Sequence, residues 1–503
     1  MPIGPRLRHV AVVCALLACG LPASGIAADP PATGTHATAA APAPFPADSV
    51  VHQSLVLPGR TLAFTTTAGV IRPTDAEEQP LADIAYVAYV RDGADAATRP
   101  VTFVFNGGPG MASGWLQVGA VGPWIIPMTG EAMRPSASPA LSPNPDTWLD
   151  FSDLVFIDPA GTGYSRAIAT GAEAHRELYS VDGDIQYLAQ VVRRWLDKSD
   201  RIVSPKYILG ESYGGFRAPL LARALAHNEG VGVSGVMLIS PALDFGGRSE
   251  ALDPLILAMR LPSMVAVARA AKGPTTRADL ADAEEYAAGD YITDLLRGTR
   301  DAAAVARVEQ HVTALTGLDP AVVARYQGRI DMDVFLHEID RKAGRVASPY
   351  DGTATSPDPF PLDPDSDYQE PVVQALIPPV TSAMVALYDE HLHWRPDGIY
   401  RLSNEAVFRA WDWGRHMYGG AQSVGALRSA MALDPHLGVL IGQGEYDLLT
   451  PYFGTALILR QIPQLGAPDR IRFDVYPGGH MFYTEDQPRA AFRDAARKLI
   501  IGE

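Results

Sequence analysis

The strongest constraint in this chain is the pentad Gly210, Glu211, Ser212, Tyr213, Gly214, which follows the apolar run at 206–209 and leads into a helix-compatible stretch at 215–227. A strand, a sharp turn and a helix with serine at the apex form a nucleophile elbow, which lifts the serine hydroxyl above a sheet. So tight a bend leaves no room for side chains two residues to either side. That accounts for Gly210 and Gly214, and it predicts strained backbone at the serine. A purely structural turn is the plain alternative, and the surrounding residues decide between the two. No other Gly-x-Ser-x-Gly occurs in the 503 residues.

The chain is 47% hydrophobic and 19% charged, enough to bury a large core as one domain with insertions or as two. Arg6 and Arg8 precede an apolar run at 10–21, followed by small residues at 23–28. Residues 1–28 therefore read as an export signal, with an apolar run too short for a membrane span. Cleavage near Ala27 or Ala28 removes Cys14 and Cys19, the only cysteines, and leaves a mature chain without disulfides or thiol chemistry. A rival reading takes Leu16–Cys19 as a bacterial-type lipobox with Cys19 acylated, so the protein is expected to be exported, periplasmic or secreted, or a lipoprotein anchored through Cys19. An Ala/Pro/Thr-rich linker fills 29–48. The net charge of −16 is spread without blocks, which argues against nucleic acid or an anionic membrane surface as partner.

Alternating segments between 54 and 90 predict antiparallel strands. Continuous apolar runs at 101–105, 154–157, 207–209, 235–239 and 438–441, with 473–476 near the end, alternate with helical stretches such as 181–197. This rhythm predicts an α/β fold with a mostly parallel central sheet and helices on both faces. Between 245 and 402 the rhythm gives way to helical patterns at 254–272, 276–297, 301–316, 320–327 and 380–392, read as a largely helical cap inserted between a first core segment at 49–244 and a second at 403–503. The acidic loop containing Asp358, Asp363, Asp365 and Asp367 has no calcium-loop spacing and reads as solvated. No metal or cofactor is called for.

A serine hydroxyl needs a base to take its proton, and the base needs an acid to hold its tautomer. On an elbow scaffold these follow in the order serine, acid, histidine at the ends of later strands. Asp447 lies on the loop 442–447 after the run ending at 441, with Glu445 the alternative acid beside it. His480 follows Pro477, Gly478 and Gly479 after the last run. The glycine-rich loop Asn106, Gly107, Gly108, Pro109, Gly110 directly follows the strand at 101–105 and can offer an amide to a developing oxyanion, with the Tyr213 amide as the second donor. It lacks the Lys-Ser/Thr of a phosphate-binding loop.

Five segments, 106–110, 158–165, 210–215, Tyr446 with Asp447, and 478–481, resemble in order the signature segments of the serine carboxypeptidase family, over roughly 101–483. The resemblance implies an α/β-hydrolase fold, Ser212, Asp447 and His480 as triad, and the amides of Gly108 and Tyr213 as oxyanion hole. It also implies that Asn106, the Gly107 amide and Glu211 hold the terminal carboxylate of a peptide substrate. Two carboxyls share a hydrogen bond only if one keeps its proton, so Glu211 is expected to have a raised pKa and binding to favour acid pH. Met111 stands where the family often has cysteine. Ala120 falls where many members carry a second glutamate, which weakens strict carboxyl-terminal specificity. Tyr213 and Met481 are expected to border apolar subsites. The leading function is a serine-type carboxypeptidase acting through an acyl-enzyme. An esterase or acyltransferase on the same scaffold, or an inactive binding protein, are the alternatives.

Overall fold

The computed structural model describes residues 44–130, 134–245, 253–362, 368, 370–414 and 421–502. The signal at 1–28 with Cys14 and Cys19, the linker up to residue 43, and Asp363, Asp365 and Asp367 lie outside the described residues.

Nine strands build the main sheet: β1 (Ser49–Leu57), β2 (Arg60–Ile71), β3 (Ala82–Arg91), β4 (Val101–Phe105), β5 (Asp153–Ile157), β6 (Lys206–Glu211), β7 (Gly235–Ile239), β8 (Gly438–Gly444) and β9 (Ile471–Tyr476); the short segment Arg166–Ala167 pairs alongside β3. Their spatial order is β1-β2-β3-β5-β4-β6-β7-β8-β9. The first three strands and the β3–β5 pair are antiparallel, and every pair from β5 onward is parallel. The alternating and the continuous apolar runs sort as the physics requires. β2 buries alternate residues along much of its length, whereas β4, β5 and β7 are buried at every position because helices cover both faces.

The principal helices are α1 (Val181–Lys198), α2 (Tyr213–Asn228), α3 (Pro254–Ala270), α4 (Ala302–Thr316), α5 (Val373–Ala386) and α6 (Asp486–Ile501). α1 starts at Ser180, whose hydroxyl accepts the Gly183 amide, and buries Ile185, Leu188 and Val192 with Leu221 and Leu225 of α2 on one face of the sheet. α6 covers the other face through Phe492, Ala496 and Ile500.

Among the described residues between β7 and β8 the regular structure is mostly helical, in line with the helical patterns read there, and includes a small hairpin of Arg345–Ala347 and Thr355–Pro357. Two details differ from the sequence reading. The single helix expected over 276–297 is broken by a widened turn, Ala287–Tyr291, that carries Tyr291 into the core, where its hydroxyl donates to the Gly328 carbonyl at 3.2 Å. The helix expected from 380 begins at Val373 despite Pro378 and Pro379. Its first turn is capped by the Glu370 carboxylate, which accepts the amides of Val372 and Val373 at 2.8 and 2.6 Å, and Leu376 and Val380 anchor it in the main core. Capping and burial outweigh the two missing N–H donors.

Candidate active site

The pentad forms the expected bend. β6 ends at Glu211, α2 begins at Tyr213, and Ser212 between them has φ 59° and ψ −120°. That is backbone an L-residue occupies only when its surroundings force it. The forcing is steric: a β-carbon at Gly210 would lie 2.0 Å from the Gly214 carbonyl oxygen, and one at Gly214 would lie 2.6 Å from the Phe105 carbonyl oxygen. The Ser212 amide donates to the Ile239 carbonyl at 2.9 Å, tying the apex to the end of β7.

Beside this apex stands the glycine loop that leaves β4. A β-carbon at Gly107 would lie 2.5 Å from the Tyr213 amide nitrogen, so only glycine lets the two backbones meet. Tyr213 is the first residue of α2, and its N–H has no acceptor inside the helix. The loop is braced from behind. Arg217, fully buried, donates to the Asn106 carbonyl at 2.8 Å and is paired with Asp184 of α1 at 2.7 Å. The segment 158–165 adds a second brace, since Asp158 accepts the Ser113 amide at 2.8 Å. Replacing Arg217 by methionine strands the Asp184 charge in the core and is expected to cost about 3–5 kcal/mol in urea unfolding. Adding Asp184→Leu to Arg217→Met is expected to restore most of that loss.

Asp447 and His480 meet. The imidazole Nδ1 and Asp447 Oδ2 are 2.8 Å apart, and both side chains are buried. The carboxylate accepts at Nδ1, so that nitrogen carries the proton and Nε2 is left as the base. Asp447 is itself held by the amides of Leu449 and Thr450, each at 2.9 Å, and by the Thr450 hydroxyl at 2.6 Å. Burial alone would depress the His480 pKa, but the charge and hydrogen bond of Asp447, with Glu211 adding to them, raise it. Glu445, the alternative acid, turns away and accepts from the Thr275 hydroxyl at 2.7 Å.

Ser212, His480, Asn106, Gly107, Gly108 and Glu211 all line one cavity of about 1090 Å³, whose other walls are largely apolar, among them Met111, Trp115, Phe245, Trp413 and Met481. Glu211 is 4% exposed and receives a hydrogen bond from the Asn106 amide group. Burial raises its pKa to about 7, against the pull of His480, Tyr483 and Asn106.

A family model described as serine carboxypeptidase matches residues 58–281. Among curated relatives, Serine carboxypeptidase-like 36 of Arabidopsis thaliana is 24% identical over 205 residues, covering 40% of this chain and 39% of that protein. The Pheromone-processing carboxypeptidase KEX1 of Metarhizium robertsii is 33% identical over 132 residues, covering 26% of this chain and 19% of that protein. This chain is similar to the serine carboxypeptidase family over residues 58–281. It spans less than half the length of either relative. The fold likeness is wider: the crystal structure of Kex1(delta)p, a prohormone-processing carboxypeptidase from Saccharomyces cerevisiae, aligns over 87% of this chain and 90% of its own with a TM-score of 0.53 at 14% identity.

The structure departs from the sequence reading at one subsite. Met481 lines the cavity as expected, but the Tyr213 ring does not. It is 1% exposed and packs among Phe216, Phe245, Trp411 and Trp413, because the first turn of α2 points it beneath the bend. Three residues at the site escape sequence reasoning. Thr450 touches both Asp447 and His480, at 2.6 and 3.0 Å, and its place three residues after the aspartate was the available signal. Tyr350 sets its ring edge to face with the His480 imidazole at 5.4 Å, and Tyr483 donates to Glu211 at 3.0 Å. Neither has a local sequence signal, since each arrives through the fold.

Proposed function

We propose that this chain is a serine carboxypeptidase that releases the C-terminal residue of peptides through an acyl-enzyme. The observation that carries this reading is a buried carboxyl, Glu211, lining the same cavity as Ser212 and His480 and bonded to Asn106. The Ser212 hydroxyl attacks the last peptide carbonyl while His480 Nε2 takes its proton and Asp447 holds the imidazolium. The amides of Gly108 and Tyr213 receive the oxyanion. His480 then protonates the departing amine, and water repeats the sequence on the acyl-enzyme. Asn106, the Gly107 amide and protonated Glu211 hold the carboxylate of the residue being released, and the apolar cavity walls favour apolar side chains.

This assignment dictates a pH signature. The Glu211 proton is needed for the carboxyl-to-carboxylate hydrogen bond, and it is lost as pH rises through about 7. KM for N-blocked dipeptides with a free terminus should therefore rise above that pH, because an ionised Glu211 repels the substrate. N-blocked esters without a free carboxylate should lack this limb. Ester hydrolysis with no preference for free-carboxylate peptides at any pH from 4 to 8 would instead assign an esterase or acyltransferase.

Export belongs to the same proposal. Among the described residues no helix is long and apolar enough to cross a membrane. N-terminal sequencing of the mature chain separates a start near residue 28 from an acylated start at Cys19.

A further inference from the structure

The Glu211 carboxyl group has two partners, and only one of them borders the cavity. Asn106 does. Tyr483, on the turn Phe482–Thr484 that follows His480, does not: it is 1% exposed and its hydroxyl sits 3.0 Å from both Oε1 and Oε2. The Gly119 backbone runs beside the ring, where even an added β-carbon would stand only in ordinary van der Waals contact, 3.4 Å away. Ala120, next in that turn, is buried and offers no polar atom from its side chain. Burial pushes the phenol pKa far up, so across the working range Tyr483 is only a donor towards Glu211.

We propose that Tyr483 is the positioning residue of the terminal-carboxylate site: its phenol grips the two oxygens of Glu211 from behind and aims the carboxyl group, with Asn106, at the substrate. This rests on the function proposed above. A carboxyl held at one oxygen by Asn106 alone is free to turn about its last bond. A donor shared between both oxygens removes that freedom and leaves the carboxyl proton to be presented to the cavity side. The same grip favours the ionised form of Glu211, so it also sets the pH at which the proton is lost.

The other titratable groups facing this pair are His480 with Asp447 behind it, and Tyr350 from the helical insertion. Arg489 of α6 approaches only the Tyr483 carbonyl, at 3.4 Å, and is paired with Asp146 and Asp486. None of these can substitute for the phenol at the Glu211 oxygens.

The test is Tyr483→Phe, which removes one oxygen and keeps the ring, assayed beside the unaltered protein on an N-blocked dipeptide and on an N-blocked ester lacking a free carboxylate. At pH 5, where Glu211 is protonated in both proteins, KM for the dipeptide should rise about tenfold, the worth of one buried hydrogen bond, while ester kcat/KM stays within twofold. The midpoint of the upper pH limb for the dipeptide should move upward, because a donor to the ionised form has gone. A dipeptide KM within twofold of the original with an unmoved midpoint would overturn the proposal. So would a parallel fall on dipeptide and ester, which marks a structural prop. If the unaltered protein already fails to prefer the dipeptide's free carboxylate, the function proposed above fails, and the role of Tyr483 falls with it.

Discussion

Ser212→Ala should lower turnover of an N-blocked dipeptide by about 10⁴- to 10⁶-fold, the range seen when the nucleophile of a serine triad is removed. The oxyanion donors and the carboxylate grip persist in that variant, so KM should change by less than threefold. Stability gives an independent reading of the same position. At φ 59° and ψ −120° alanine keeps the backbone strain that serine carries, whereas glycine relieves it. Ser212→Gly should thus be more stable than Ser212→Ala by roughly 1–2 kcal/mol in urea unfolding, while being just as inactive. Equal stability of the two variants would mean that the bend holds no strain, and residual activity above one part in a thousand would remove Ser212 as the nucleophile.

Gly210→Ala should be among the most damaging single methyl additions in the described residues. Its β-carbon would overlap the Gly214 carbonyl oxygen at 2.0 Å, the Gly214 carbonyl carbon at 2.3 Å and the Gly215 nitrogen at 2.8 Å. All three atoms belong to the backbone of α2, so no side chain can rotate aside, and either the strand or the helix must move. Overpacking of this kind costs about 3 kcal/mol or more, and a shift of even one ångström at the start of α2 displaces both Ser212 and the Tyr213 amide. The expected result is soluble protein with a melting temperature lowered by several degrees and with ester and peptide hydrolysis reduced together by at least a hundredfold. A Gly210→Ala variant with normal kinetics would show that the bend has slack the atomic contacts deny. Gly59→Ala is a useful control, because a β-carbon there meets nothing within 4 Å, so only the backbone term of its positive φ is expressed.

The parts of this molecule that could be read from the chain are those set by local pattern. β4, β5 and β7 announce themselves because strands buried on both faces must be apolar throughout, and Ser212, Asp447 and His480 because each follows a strand of the parallel part of the sheet on a glycine-containing turn. The sequence favours Asp447 over Glu445, and the two carboxylates, two residues apart on one loop, face His480 and Thr275 respectively. Tyr483, Tyr350 and the burial of the Tyr213 ring were invisible. Their surroundings are assembled from the turn after β9, the insertion and the first turn of α2, and nothing near them in the chain records which of these will meet. The start of α5 was misread because prolines speak loudly in a sequence, whereas the capping carboxylate of Glu370 and the burial of Leu376 speak only in three dimensions.

A short stretch between β7 and β8, residues 349–352, reaches both the Asp447 loop and the His480 loop. The Pro349 carbonyl accepts the amides of Leu448 and Leu449, the Tyr350 carbonyl accepts the His480 amide at 2.6 Å, and the Gly352 amide donates to the Tyr446 carbonyl. The loop of the acid and the loop of the base are thus stitched to each other through a third strip of chain. Displacing this strip would break hydrogen bonds that hold the Asp447 and His480 loops, so the strip and the two loops should melt as a single event.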